Sequence, residues 1–192
     1  MALLQGGISW AGWSRERSAC ESSTALKTGL STGMAAFAGM WTAFSRRSSK
    51  AWRPAGNRAF PPASVGIDTW AVDFVLLDRN GDPLGDAVAY RDSRTRGMDR
   101  LVEERIPFQE LYRRTGIQKQ EFNTIYQLMA VKQQEPQLLE RAQRRLMVPE
   151  YLTYRLTGKM ENEYTNATTT GLVNARTKTW DGELLDRLGY AP

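Results

Sequence analysis

The sequence predicts a mixed α/β domain in which a short strand-rich start gives way to helices. Three observations carry that expectation. Two apolar runs, Ser64–Trp70 (SVGIDTW) and Asp73–Asp78 (DFVLLD), have the length of strands, and Asn80-Gly81 follows them as a turn signal. From Met98 onward the apolar residues recur at helical spacing.

The elements follow in order. The turn Arg79-Asn80-Gly81-Asp82 contains Asn-Gly, whose residues tolerate positive φ at both central positions, so Leu84–Tyr90 (LGDAVAY) is expected to return as the antiparallel partner of Asp73–Asp78. The result is a β-hairpin, then helices. Met98, Leu101, Val102 and Ile106 mark one helical face; Phe108, Leu111 and Tyr112 mark a second; Phe122, Ile125, Tyr126 and Met129 mark a third. Pro107 and Pro136 separate them, since proline ends a helix or opens one. Leu138, Leu139 and Ala142 continue the pattern, Pro149 opens a helix carrying Tyr151, Leu152 and Leu156, and Gly158 closes it. Asp181 caps a last helix with Leu184, Leu185 and Leu188 that stops at Gly189.

Composition narrows the chemistry. The 192 residues contain no histidine, which removes Ser-His-Asp triads, imidazole bases and histidine zinc sites. The single cysteine, Cys20, forms no internal disulfide, and no apolar run approaches the roughly 20 residues that cross a bilayer. No membrane partner is expected, and a cytoplasmic location is. Mean hydropathy is -0.50. Neither a G-x-x-x-x-G-K-[ST] loop nor a G-x-G-x-x-G turn after a strand is present.

The net charge of +5 is unevenly placed. Residues 1–60 hold eight basic residues against two acidic ones and four of the six tryptophans; the remainder holds 18 basic against 19 acidic. The chain therefore divides into residues 1–62, an atypical basic segment, and 63–192, a domain of ordinary composition. Three readings of the first segment stand: a transit peptide, a basic tail, or a stretch that is encoded out of frame with the rest or disordered. The abrupt change at Pro61 favours the third. Thr32–Phe44 is its one apolar stretch and a weak helix candidate.

Two groups of polar residues fall at strand ends, where open α/β sheets place ligands. The first is Asp68, Thr69, Trp70 and Asp73, and the second is Tyr90, Arg91, Asp92, Ser93 and Arg94. Arginine and carboxylate pairs hydrogen-bond vicinal hydroxyls, and a tryptophan face covers the apolar edge of a sugar. The structural alternative is that Asp68 and Asp92 cap turns, Arg91 and Arg94 pair with acids, and Trp70 is core. Tyr164–Thr170 (YTNATTT) offers hydroxyls that equally suit a helix start.

The stretches GIDTWAVDFVLLD, AYRDSRT, YRRTGIQ, FNTIYQL, YLTYRLTGK, EYTNATTTGLVN and TWDGELL, in this order between Ser64 and Gly189, closely resemble the N-terminal domain of the rhamnulokinase branch of the carbohydrate kinases, which also include glycerol kinase and xylulokinase. The resemblance implies a partial ribonuclease-H-like, actin-like ATPase fold. It also implies ATP- and Mg-dependent phosphorylation of L-rhamnulose at its 1-hydroxyl in L-rhamnose catabolism. Carried over residue by residue, it places Thr69, Trp70, Ala71, Asp73, Tyr90, Arg91 and Asp92 at the sugar. Ala71 stands where the pattern has glycine, so the added methyl bears on backbone freedom and on space for the substrate. The family's phosphate-binding hairpin, Asp-x-Gly-x-[Ser/Thr]-x-[Lys/Arg], needs an aspartate, and residues 1–60 have none. Its catalytic aspartate falls beyond Pro192, so the ATP and Mg elements are not expected here and the fragment is expected to be inactive alone. An unpaired edge is expected on the Val65–Trp70 strand. The alternative is a non-catalytic binding protein with a basic N-terminal segment; a nucleic-acid partner is not expected.

Overall fold

The computed structural model describes residues 66–190 with their side chains and the backbone of residues 4–14 and 17–28. The chain forms two compact units, Met1–Trp70 and Ala71–Pro192. Thr32–Phe44 lies outside the described residues.

In the first unit β1 (Leu4–Ser14) runs antiparallel to β2 (Arg17–Thr28), and the register shifts once, between Ile8 and Ser9. The other edge of β1 pairs with β3 (Gly66–Asp68) through Gly7↔Asp68, Ile8↔Ile67 and Ser9↔Gly66, giving the order β2-β1-β3. β3 is thus paired along Gly66–Asp68 on one edge, and, standing last in the order, it has no strand on its other edge among the described residues. Open N–H and C=O groups on a strand edge accept any extended segment of suitable length, and β1 supplies one.

In the second unit β4 (Phe74–Leu77) is buried at all four positions, as its continuous apolar run requires. Its antiparallel partner is β5 (Arg144–Met147), from Phe74↔Met147 to Leu77↔Arg144. The expected hairpin with Leu84–Tyr90 does not form. One bridge, Leu77↔Pro83, and one bond, Leu84 N–H to the Leu76 carbonyl at 2.9 Å, are all that continue past the turn. Pro83 has no N–H, Gly85 and Asp86 favour strands poorly, and the Tyr90 N–H is taken by a side chain instead. A turn does form at Asn80-Gly81, but with positive φ at Gly81 only and not at Asn80. Asp78 accepts the N–H groups of Asn80 and Asp82 at 2.8 and 3.0 Å, and Gly81 has φ +83°, where a Cβ would collide with the Tyr154 hydroxyl and with Met160.

Helices span Met98–Glu103, Phe108–Thr115, Thr124–Gln134, Pro136–Arg141, Val148–Thr157, Tyr164–Thr168 and Gly182–Leu188. Every residue from Thr124 to Val131 is buried, so this helix is central and not one-faced. Around it Phe74, Val102, Ile106, Ile125, Met129, Leu172, Leu184 and Leu188 form one core. Tyr112, expected on a buried face, is 53% exposed. Asp181 caps the last helix by accepting the Leu184 N–H at 3.2 Å. A small antiparallel pair, β6 (Val173–Asn174) and β7 (Thr179–Trp180), precedes it. Among the described residues no helix is long and apolar enough to cross a membrane.

Candidate functional site

The chain enters β4 through a bend that its sequence does not favour. The Asp73 N–H bonds the Ala71 carbonyl at 3.0 Å, and between them Val72 has φ +69°. This is a γ-turn of the rare hand, with a β-branched residue in left-handed backbone, and such strain costs about 1–3 kcal/mol. Ala71 itself is not among the positive-φ residues, so its methyl adds no backbone strain.

Two buried side chains hold the bend. Thr124 Oγ1 donates to the Val72 carbonyl at 2.7 Å, and Gln127 Nε2 donates to the same oxygen at 3.2 Å. Gln127 Nε2 also lies 3.1 Å from Asp73 Oδ1 and 3.0 Å from the Phe122 carbonyl, while Gln127 Oε1 accepts from Arg94 Nη2 at 3.0 Å. Oxygens surround one end of this amide and a guanidinium meets the other, which fixes its orientation. Two net hydrogen bonds at about 0.5–1.5 kcal/mol each match the strain at Val72 in size.

Asp73 links the segments. It is 1% exposed, and its Oδ2 accepts the Tyr90 N–H at 3.2 Å. The carboxylate is thus occupied in fixing the loop that carries Tyr90 and Arg91. Tyr90 meets Phe122 edge to face, with ring centroids 5.7 Å apart, and Arg91 lies over the Tyr90 ring at 5.1 Å while its Nε donates to the Tyr90 hydroxyl at 3.0 Å. Asp92 caps the short 3-10 turn Ser93–Thr95 by accepting the Arg94 N–H at 2.8 Å. Burial pushes the Arg94 guanidinium below its ordinary pKa, and the charges of Asp92, Asp73 and Glu135 oppose that shift.

The second unit therefore brings together Ala71, Asp73, Tyr90, Arg91 and Asp92. Thr69 and Trp70 close the first unit, both half-buried, with Thr69 Oγ1 donating to the Trp70 carbonyl at 3.3 Å. The sequence missed Val72, Thr124 and Gln127; their signal, three polar or strained residues inside apolar runs, is legible only once the bend is known. A cavity of about 290 Å³ lies elsewhere, lined by Leu76, Leu128, Leu185, Tyr190, Trp180 and Arg145, and none of the candidate residues faces it. Arg145 sits over the Trp180 ring at 4.6 Å, and burial pushes its pKa down to about 10. Among the described residues no three His, Cys, Asp or Glu side chains are grouped to hold a metal ion.

The pattern of the FGGY family of carbohydrate kinases, N-terminal domain, matches residues 31–192, and the chain belongs to that family. The match begins ahead of the compositional change at Pro61. Rhamnulokinase of Oceanobacillus iheyensis is 56% identical over 138 residues, covering 72% of this chain and 29% of that protein. Rhamnulokinase of Halalkalibacterium halodurans is 57% identical over 131 residues, covering 68% and 28%. The chain thus spans less than a third of the length of these relatives. Xylulose kinase from Rhodospirillum rubrum superimposes with a TM-score of 0.81 at 17% identity, over 100% of this chain and 42% of that structure. That likeness shows the fold, the actin-like ATPase fold of sugar kinases.

Proposed function

We propose that the chain is the sugar-binding portion of an L-rhamnulose kinase, a cytoplasmic enzyme that transfers a phosphoryl group from ATP to the 1-hydroxyl of L-rhamnulose. The observation that carries this reading is the identity above 55% to two rhamnulokinases, across the segments that build the site. In such a transfer the sugar oxygen forms a bond to the γ-phosphorus, the bridging bond to ADP breaks, and a base takes the hydroxyl proton. Bound Mg-ATP supplies the phosphoryl group and neutralises its charge.

This chain's residues bind and orient. Ala71, Tyr90 and Arg91 are the proposed sugar contacts, with the Arg91 guanidinium pre-set by its stacking on Tyr90. Asp73 and Asp92 hold the backbone behind them. Asp73 is not the base in this reading, because its carboxylate is enclosed and both oxygens accept hydrogen bonds. Thr69 and Trp70 are proposed contacts on the first unit. Positioning of this kind is what phosphoryl transfer draws from a protein, so the sugar-binding portion alone is expected to bind without turnover.

Residues 1–62 are proposed to be out of frame with 63–192, on the strength of their composition and the absence of aspartate in residues 1–60; the family match, which starts at residue 31, counts against this for 31–62. Sequencing the locus in all three frames upstream of the Pro61 codon tests this. A second frame encoding Asp-x-Gly-x-[Ser/Thr]-x-[Lys/Arg] is expected, and its absence would make the basic segment genuine. The sugar assignment is tested by thermal unfolding with L-rhamnulose, which is expected to raise Tm, whereas glycerol at the same concentration leaves it unchanged. Equal shifts with both would sink the assignment.

A further inference from the structure

Resting on the sugar-kinase reading, we propose that Gln127 is a positioning residue of the sugar site: its carboxamide nitrogen, with the Thr124 hydroxyl, clamps Val72 in left-handed backbone and so sets where Ala71 meets the sugar. The Val72 carbonyl accepts from both side chains, at 3.2 and 2.7 Å. Both donors come from one turn of the central helix, and both are enclosed, at 1% and 0% exposure. No local preference of valine explains φ +69°, since left-handed backbone is rarest for β-branched residues. The surroundings impose it.

The same amide joins the two loops that carry the proposed contacts. Through Asp73 Oδ1 it touches the carboxylate that holds the Tyr90 N–H, and through Oε1 it receives Arg94, two residues after Asp92. One side chain therefore fixes the turn at Ala71–Asp73, the loop at Tyr90–Arg94 and the Phe122 carbonyl together. A residue that touches no substrate sets the spacing between Ala71 and Arg91.

The donor and acceptor halves of the amide can be separated. Gln127→Glu keeps an oxygen for Arg94 and loses the N–H groups; Gln127→Met loses both. Thr124→Ser keeps the hydroxyl, and Thr124→Val removes it. Each variant of the full chain would be examined by NMR, using the one-bond Cα–Hα coupling and the intraresidue HN–Hα contact of Val72, which report the sign of φ. L-rhamnulose would then be titrated, with the dispersed amides of the last helix as the check on folding.

Gln127→Glu and Gln127→Met are both expected to move Val72 to negative φ and to weaken L-rhamnulose binding at least tenfold, with Thr124→Val acting in the same direction. Thr124→Ser is expected to retain both signals and so serves as the rescue. Retention of left-handed Val72 in a folded Gln127→Met or Gln127→Glu chain overturns the clamp. Loss of it with unchanged L-rhamnulose affinity overturns the positioning role. If the unmodified chain binds no L-rhamnulose, the sugar reading fails and the positioning role falls with it, while the Val72 couplings report separately on the clamp. If the Gln127 variants do not fold, the Thr124→Val and Thr124→Ser pair decides on the same two readouts.

Discussion

Two polar networks in the second unit differ in burial, and so in what they can do. Around Val72 the polar side chains of Asp73, Thr124 and Gln127 are 1%, 0% and 1% exposed. Around Arg114 the guanidinium pairs with Glu110 at 3.3 Å, with Asp181 at 3.2 Å and with Glu183, and Arg187 pairs with Glu110 at 2.7 Å. There the side chains of Glu110, Arg187 and Glu183 are 31%, 33% and 56% exposed. Charges in water contribute little and tolerate loss, whereas an enclosed polar group left unpaired pays its full desolvation. The first network can hold strained backbone in place. The second ties the Phe108–Thr115 helix to the last helix at the surface.

Asp73→Ala should show the largest effect. It strands the Tyr90 N–H and removes one acceptor from Gln127, so urea unfolding should lose about 3 kcal/mol. A loss below about 1 kcal/mol would mean that the Tyr90 loop is held by something else. Asp181→Ala stands between the networks, because Asp181 is enclosed yet belongs to the ion-pair cluster. It removes a helix cap together with bonds from Arg114 and Asn174, and about 1–2 kcal/mol is expected. Glu183→Ala should cost less than about 1 kcal/mol, and the cost should shrink further in high salt. If it equals that of Asp181→Ala, burial is not what separates the two networks.

Acid should expose the same contrast. Hydrogen bonds from Arg187 and Arg114 hold Glu110 below the ordinary glutamate range. Burial pushes Asp181 up, but the bonds from Asn174, the Leu184 N–H and Arg114 outweigh it, and the net direction is down. A carboxylate whose folded pKa lies below its unfolded value contributes its full stability above about pH 4 and loses it as pH falls through the folded value. Stability should therefore be level from pH 7 to 5 and fall below pH 4. Asp181→Ala should flatten that fall, and an unchanged slope would contradict the assignment.

The parts of this unit legible in the sequence are those set by local chemistry. Asp181 and Gly189 bracket the last helix, Gly158 ends the Val148–Thr157 helix in left-handed backbone, and Asn80-Gly81 makes its turn. The partner of β4 was not legible, because β5 begins with Arg144 and Arg145 and its apolar part is only Leu146-Met147 before the next helix. Pairing across such a distance in the chain is decided by tertiary packing, not by the turn next to it. The site divides in the same way. Asp73, Tyr90, Arg91 and Asp92 could be picked out by residue type and resemblance, whereas Val72, Thr124 and Gln127 carry no motif. Their importance comes from one backbone angle that no composition or period reports.

The central claim, that the Ala71–Asp73 turn and the Tyr90–Asp92 loop form a sugar site held by the buried network, is tested most directly by titrating the isotope-labelled chain with L-rhamnulose and mapping the amide shifts. Saturable shifts centred on Ala71–Asp73, Tyr90–Asp92 and Asn123–Gln127 are expected, with none around the Leu76–Trp180–Tyr190 cavity. No saturable change, or changes centred on that cavity, would contradict it.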